Sequence, residues 1–129
     1  MSKPVWIDAQ DALALHERLI ALFGGPAGLR DGALLHSALA RPQQIFAYAH
    51  AADLVDMAAA LIVGIVRNHP FIDGNKRTGF LLGILFLELN GLRFAAREED
   101  AANAIINLAS GTLDEAGLTA FLRENVQTE

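Results

Sequence analysis

Residues 53–90 read DLVDMAAALIVGIVRNHPFIDGNKRTGFLLGILFLELN, and this stretch decides the fold. Two apolar segments, Met57 to Val66 and Phe80 to Leu89, flank a loop, His69 to Arg77, that contains a proline, a glycine and four ionisable side chains. Asp53 is a natural N-cap, and Leu54, Met57, Ala58, Leu61, Ile62, Ile65 and Val66 follow at helical spacing. From about Asn75 to Asn90 the residues Phe80, Leu81, Leu82, Ile84, Leu85, Phe86, Leu87 and Leu89 point in every direction. A helix that is apolar all round is enclosed by protein, so this one is expected at the centre of the fold. Both segments are too short to span a bilayer, and Arg67 and Glu88 limit them further, so they read as core helices and leave no membrane role.

Outward from this pair, helical patterning dominates. A first helix is expected from about Asp8 to Phe23, with Leu13, His16, Ile20 and Phe23 on one face and Gly24-Gly25 as its stop. A second starts at the N-cap Asp31 and carries Leu34, Leu35, Ala38 and Leu39 as far as Arg41, where Pro42 should end it. The stretch Gln43 to Ala51 alternates large with small residues and reads as a short extended segment or hairpin. Beyond the stop at Asn90-Gly91, Leu92 to Phe94 forms a short strand. Helices of about Glu98 to Ala109 and Asp114 to Asn125 close the chain, and Trp6 anchors its start. With no repeat, linker or low-complexity tract, residues 1–129 form a single domain of the all-α class.

A chain of 129 residues with 53% hydrophobic content buries a real core. It has no cysteine, which removes disulfides and thiolate metal sites and agrees with a reducing cytoplasm. The start, Met1 to Asp8, lacks the form of a signal peptide. The net charge is −5, and the 10 lysines and arginines form no cluster larger than Lys76-Arg77. A nucleic-acid partner, which wants a basic stripe, is therefore disfavoured, whereas a small anion held locally is not.

The loop concentrates the groups that such an anion needs. A helix opening at Asn75 presents unpaired N–H groups and the positive end of a dipole. Gly74 lets the backbone turn so that those groups converge, and Lys76 and Arg77 add full charges. Asp73 among these cations makes sense if Mg2+ accompanies a phosphate chain, since one carboxylate plus phosphate oxygens and waters is a common Mg2+ site. His69 is the nearby side chain that ordinarily titrates near neutrality, which suits a general base acting on a hydroxyl. The same residues admit a plainer reading: a structural histidine before proline, an Asp-Gly-Asn turn and a solvated helix start. The residue chemistry alone leaves the two readings level. His16 reads as a hydrogen-bonded core histidine, His36 as exposed, and Arg67 as a partner for Asp73 or a brace for the loop.

The nine contiguous residues His69 to Arg77 resemble the signature of the Fic/Doc superfamily, and the Asn-Lys-Arg ending is similar to that of its death-on-curing (Doc) branch. Gly28-Leu-Arg-Asp31, Leu34 to Gln43 and Phe86-Leu-Glu-Leu-Asn-Gly91 extend the resemblance along the chain. It implies a Fic-type helical bundle with a short flap and the motif loop between two central buried helices. In that scheme His69 is the base and Asp73 the Mg2+ ligand. Gly74, Asn75, Lys76 and Arg77 surround the phosphates of ATP. Gln44, Ile45, Phe46, Ala47 and Tyr48 correspond to the flap that aligns the target segment.

AMP-transferring Fic proteins have a second glycine where this chain has Lys76 and a second arginine where it has Phe80. The resemblance therefore implies the Doc-type reaction, transfer of the γ-phosphate of ATP to a threonine of a translation protein such as elongation factor Tu. AMP transfer is the alternative, and a catalytically silent Fic-shaped binding module or a nuclease toxin stands further off. Many Fic proteins carry an inhibitory Ser or Thr four residues before a Glu, and this sequence has none. The expected brake is a cognate, Phd-like antitoxin whose disordered tail folds over the site.

Overall fold

The computed structural model describes residues 3–128. Six helices run in order: α1 (Ala9–Phe23), α2 (Gly32–Tyr48), α3 (Leu54–Asn68), α4 (Asn75–Leu89), α5 (Glu98–Ser110) and α6 (Glu115–Glu124). Asp8, Asp31, Asp53 and Asp114 cap α1, α2, α3 and α6 through their side chains, and Asp8 and Asp53 belong to reciprocal capping boxes. Two short strands, β1 (Leu92–Phe94) and β2 (Val126–Thr128), pair antiparallel with Arg93 opposite Gln127. Among the described residues no helix is long and apolar enough to cross a membrane.

The central helix is α3, not α4 as its all-round apolar pattern suggested. Every residue of α3 from Met57 to Val66 is buried, whereas Leu81, Ile84 and Leu85 of α4 are only half-buried and Leu89 is exposed. Small residues explain the difference. A side chain at Gly64 would press on Ala38 of α2, and one at Gly79 or Gly83 of α4 would run into Ile65 or Ile62 of α3. These glycines let α2 and α4 close on α3, while α6 covers it further.

A second correction concerns the end of α2. Residues Gln43 to Tyr48 are helical rather than extended, and Pro42 lies buried inside the helix. Proline in a helix interior costs about 3 kcal/mol. Here the stripe Leu35, Ala38, Leu39, Pro42, Ile45 and Phe46 keeps one apolar face turned to the core, and that burial outweighs the lost hydrogen bond. Trp6 anchors the N-terminal segment as expected, stacked on Phe86 (6.0 Å) and edge-on to Phe46 (5.7 Å).

The phase of α1 is also shifted. Its buried residues are Ala12, His16 and Leu19, while Leu13 and Phe23 are exposed. Arg123 of α6 pairs with Asp53 and Asp56 at the start of α3. Partial burial pushes the Asp53 carboxyl up, but hydrogen bonds from Arg123 and from Asp56 outweigh it and hold Asp53 below the ordinary value.

Candidate active site

His69 is the C-cap of α3 and takes a left-handed conformation (φ 52°), the one non-glycine positive φ among the described residues. Such a residue persists only where its surroundings hold it. Arg30 does so from the α1–α2 loop: its Nε donates to the His69 carbonyl (2.6 Å) and its Nη2 to the Asn68 carbonyl (2.8 Å). Asn68 in turn donates to the Leu34 carbonyl (3.0 Å), tying the end of α3 to α2.

Asn75 fixes the other side of the loop from within. Its Oδ1 accepts from Phe71 N (2.9 Å), and its Nδ2 donates to the Phe71 carbonyl (2.9 Å) and faces His69 Nδ1 at 3.0 Å. Both ends of the amide are thus oriented by Phe71, so the nitrogen donates and His69 Nδ1 accepts. A neutral ring then carries its proton on Nε2. Asn75 is buried, and what it offers an incoming anion is its backbone N–H.

Gly74 caps α4 in a left-handed conformation (φ 78°) with no side chain satisfying the first turn. The leading N–H groups of α4 therefore face outward at the positive end of the helix. Lys76 and Arg77 are exposed beside them, and the Arg77 guanidinium rests 4.1 Å from the centre of the Phe23 ring. The exposed Phe23, read from the sequence only as part of one helix face, is thus a platform for Arg77. The ion pairs among the described residues involve Arg41, Arg97 and Arg123, which leaves Lys76 and Arg77 free for an external anion.

Asp73 projects beside these groups and pairs with no cation among the described residues. Its carboxylate lies over Gly25 at the end of α1, where any side chain would collide with it. His69 and residues Asp73 to Arg77 form one wall of a cleft of about 550 Å³, and Phe23, Gly24 and Gly25 form the other. The structure brings together His69, Asp73, Gly74, Asn75, Lys76 and Arg77, all six singled out in the sequence.

It does not bring Gln44 to Tyr48 to them. The start of α2 touches the motif loop, and Phe46 lies on the order of 18 Å further along the helix at 1.5 Å per residue. The extended backbone beside the motif is instead the α1–α2 loop. Leu29 forms an antiparallel bridge with Phe71, Arg30 N (2.6 Å) and Asp31 N (2.9 Å) donate to the Pro70 carbonyl, and Ile72 N donates to the Gly28 carbonyl (3.1 Å). The sequence signals for this loop were Gly24 and Gly25, read only as a helix stop, and Gly28 to Asp31, read only as part of the family resemblance. Arg67, expected to meet Asp73 or brace the loop, is exposed and lines a smaller cleft behind His69.

A family model described as the Fic/DOC family matches residues 6–87, from Trp6 through the motif loop to Leu87. This chain belongs to the Fic/Doc family. The Fic/Doc chain is similar to a protein named Toxin Doc from Mycolicibacterium smegmatis (strain ATCC 700084 / mc(2)155), 38% identical over 106 residues, 78% of this chain and 79% of that one. It is also similar to a protein named Protein kinase doc from Escherichia phage P1, 31% identical over 117 residues, 91% and 92% of the two chains. Its six helices and two-stranded ribbon are a Fic-type all-α fold, with the motif loop between α3 and α4.

Proposed function

We propose that this chain is a Doc-like toxin acting in the cytoplasm, which transfers the γ-phosphate of ATP to a hydroxyl of a protein. The observation that carries this reading is the convergence on one cleft of His69, Asp73 and an uncapped helix start bearing Lys76 and Arg77. The names of the two relatives, one a toxin and one a protein kinase, support it.

The N–H groups at the start of α4, with Lys76 and Arg77, hold the phosphate chain and stabilise charge that develops during transfer. Asp73 fits a Mg2+ ligand because it is an exposed carboxylate, unpaired among the described residues, beside those groups. Bound there, the ion would neutralise phosphate charge. His69 takes the proton from the acceptor hydroxyl through Nε2 as the oxygen attacks phosphorus and ADP leaves. That step needs a neutral ring protonated at Nδ1 rather than Nε2, the tautomer in which Nδ1 no longer accepts from Asn75.

The acceptor is a threonine of a translation protein such as elongation factor Tu. The backbone that aligns the target segment is Gly28 to Asp31, which lies extended against the motif loop, in place of Gln44 to Tyr48. The brake is a cognate, Phd-like antitoxin whose disordered tail takes the apolar groove of about 460 Å³ along α4 and α5. That groove is walled by Phe80, Leu81, Ile105 and Ile106 beside Arg77.

The test is label transfer in a bacterial extract with Mg2+ and ATP labelled at the γ- or the α-phosphate. Label on a protein from the γ position alone, lost in His69→Ala, is the expected result. Label from the α position would replace the proposal with AMP transfer, and no label from either would remove the enzyme reading.

A further inference from the structure

His16 reads from the sequence as an ordinary core histidine, yet its buried ring touches the motif loop at three places. Its Nε2 lies 2.7 Å from the main-chain carbonyl of Asp73, a bond between residues 57 positions apart. A carbonyl can only accept, so Nε2 carries the proton and donates. The ring stacks on Phe71 with centroids 3.9 Å apart and planes 7° from parallel. Its edge also backs Gly74, where an added side chain would meet Nε2 at 3.7 Å. Phe71 itself is fully buried and bonded on both sides to Asn75.

These contacts have a directional consequence. Asp73 is exposed, and its side chain makes no hydrogen bond within the described residues, so nothing on the carboxylate itself sets its aim. What is fixed is the peptide on its C-terminal side, through the carbonyl that His16 holds. The same peptide links Asp73 to Gly74, whose left-handed turn starts α4. We infer that His16 is a positioning residue: by holding the Asp73 carbonyl and bracing Phe71, it aims the Asp73 carboxylate and sets the entry of the helix start into the cleft. Outer groups that orient a metal ligand typically matter by roughly 10–100-fold in metal affinity.

The inference rests on the reading of Asp73 as a metal ligand, and two measurements separate the failure of one from the failure of the other. The first uses metal-free protein and reads amide hydrogen exchange by NMR at Phe71, Ile72 and Thr78, whose N–H groups bond to Asn75, Gly28 and Gly74 on either side of Asp73. His16→Phe keeps a stacking ring but loses the donor, while His16→Gln keeps a donor of similar reach. We expect exchange at those amides to rise about tenfold or more in His16→Phe, to stay near wild type in His16→Gln, and to be unchanged in the middle of α3 in both. Unchanged exchange in His16→Phe overturns the positioning role, whatever the protein binds.

The second measurement is binding of Mn2+ with a non-hydrolysable ATP analogue, followed by electron paramagnetic resonance. A loss of about tenfold or more in affinity is expected for His16→Phe, and near-complete rescue for His16→Gln. Equal affinity in wild type and His16→Phe overturns the claim that the bond aims Asp73. If wild type itself holds no Mn2+, the metal-ligand reading falls, and so does the part of the inference that concerns the carboxylate. Should His16→Phe not fold, His16→Met takes its place as the variant without a donor, against the same glutamine control.

Discussion

Replacing Asn75 by alanine separates a residue that grips the ligand from one that holds the loop. The side-chain amide is buried and bonded to both the N–H and the carbonyl of Phe71, and Phe71 is itself fully buried. Alanine leaves two main-chain groups without these partners in a site closed to water. A buried polar group that loses its partner costs roughly 1–3 kcal/mol. The two together give about 2–6 kcal/mol, a large share of the roughly 5–15 kcal/mol typical of a single domain. In a chain of this size the melting temperature should fall by on the order of 10 °C.

Urea denaturation followed by circular dichroism measures the difference, with Lys76→Ala as the control. Lys76 is exposed, and its removal should leave stability within about 0.5 kcal/mol. If Asn75→Ala is also within about 0.5 kcal/mol of wild type, the inward bonds do not hold the loop and the argument fails. A destabilised Asn75→Ala beside an unaffected Lys76→Ala would separate the two neighbours: one builds the site, the other serves in it.

Two further outcomes follow from the same geometry. Gly25 has φ +110° and lies against the Asp73 carboxylate, whereas Gly24 has φ +84° with open space beside it. Gly24→Ala and Gly25→Ala should therefore both lose roughly 1–3 kcal/mol in thermal melts, but Gly25→Ala alone should weaken Mn2+ binding. Arg123→Gln should cost less than about 1 kcal/mol at pH 7, because the pair it breaks is largely exposed. Asp53 is depressed in the folded state, so the unfolded chain takes up its proton first. The stabilisation is full above the ordinary value of about 3.9 and is lost as pH falls through the lower folded value. Urea curves at neutral pH and near pH 2.5 should show the gap between wild type and Arg123→Gln closing, and a gap that persists in acid would contradict the assignment.

The sequence was most informative where one segment carries both the local signal and the candidate site. The caps at Asp31 and Asp53, the two buried helices and the loop between them follow from residues within one or two turns of each other. What stayed hidden depends on who packs against whom. The apolar residues around α4 suggested the middle of the bundle, but the glycines and alanines of α3, α4 and Ala38 decide which helix the others can approach. Pro42 signals a stop in isolation, and only the continuing stripe to Phe46 overrides it. The six motif residues were found together because they are contiguous. The groups that orient them, His16, Arg30, Phe23 and Gly25, come from the α1 region, and of these only Arg30 lay in a stretch, Gly28 to Asp31, that the resemblance marked. Asn75 was assigned to the phosphate because its neighbours are, and its buried side chain proves to face the other way.

The bonds that shape the motif loop join residues far apart in sequence, and this bears on the order of folding. Helices α2, α3 and α4 are consecutive, and their packing closes only short stretches of chain. Local contacts of this kind form early because little loop entropy opposes them. The His16–Asp73 and Arg30–His69 bonds span 57 and 39 residues and require α1 and its loop to dock on that framework. A three-helix core can thus assemble with the signature residues present but loosely arranged, and the cleft takes its final form when the α1 end closes over it. Competence is then a property of the last docking step, so a partly folded chain holds the full motif without the means to use it.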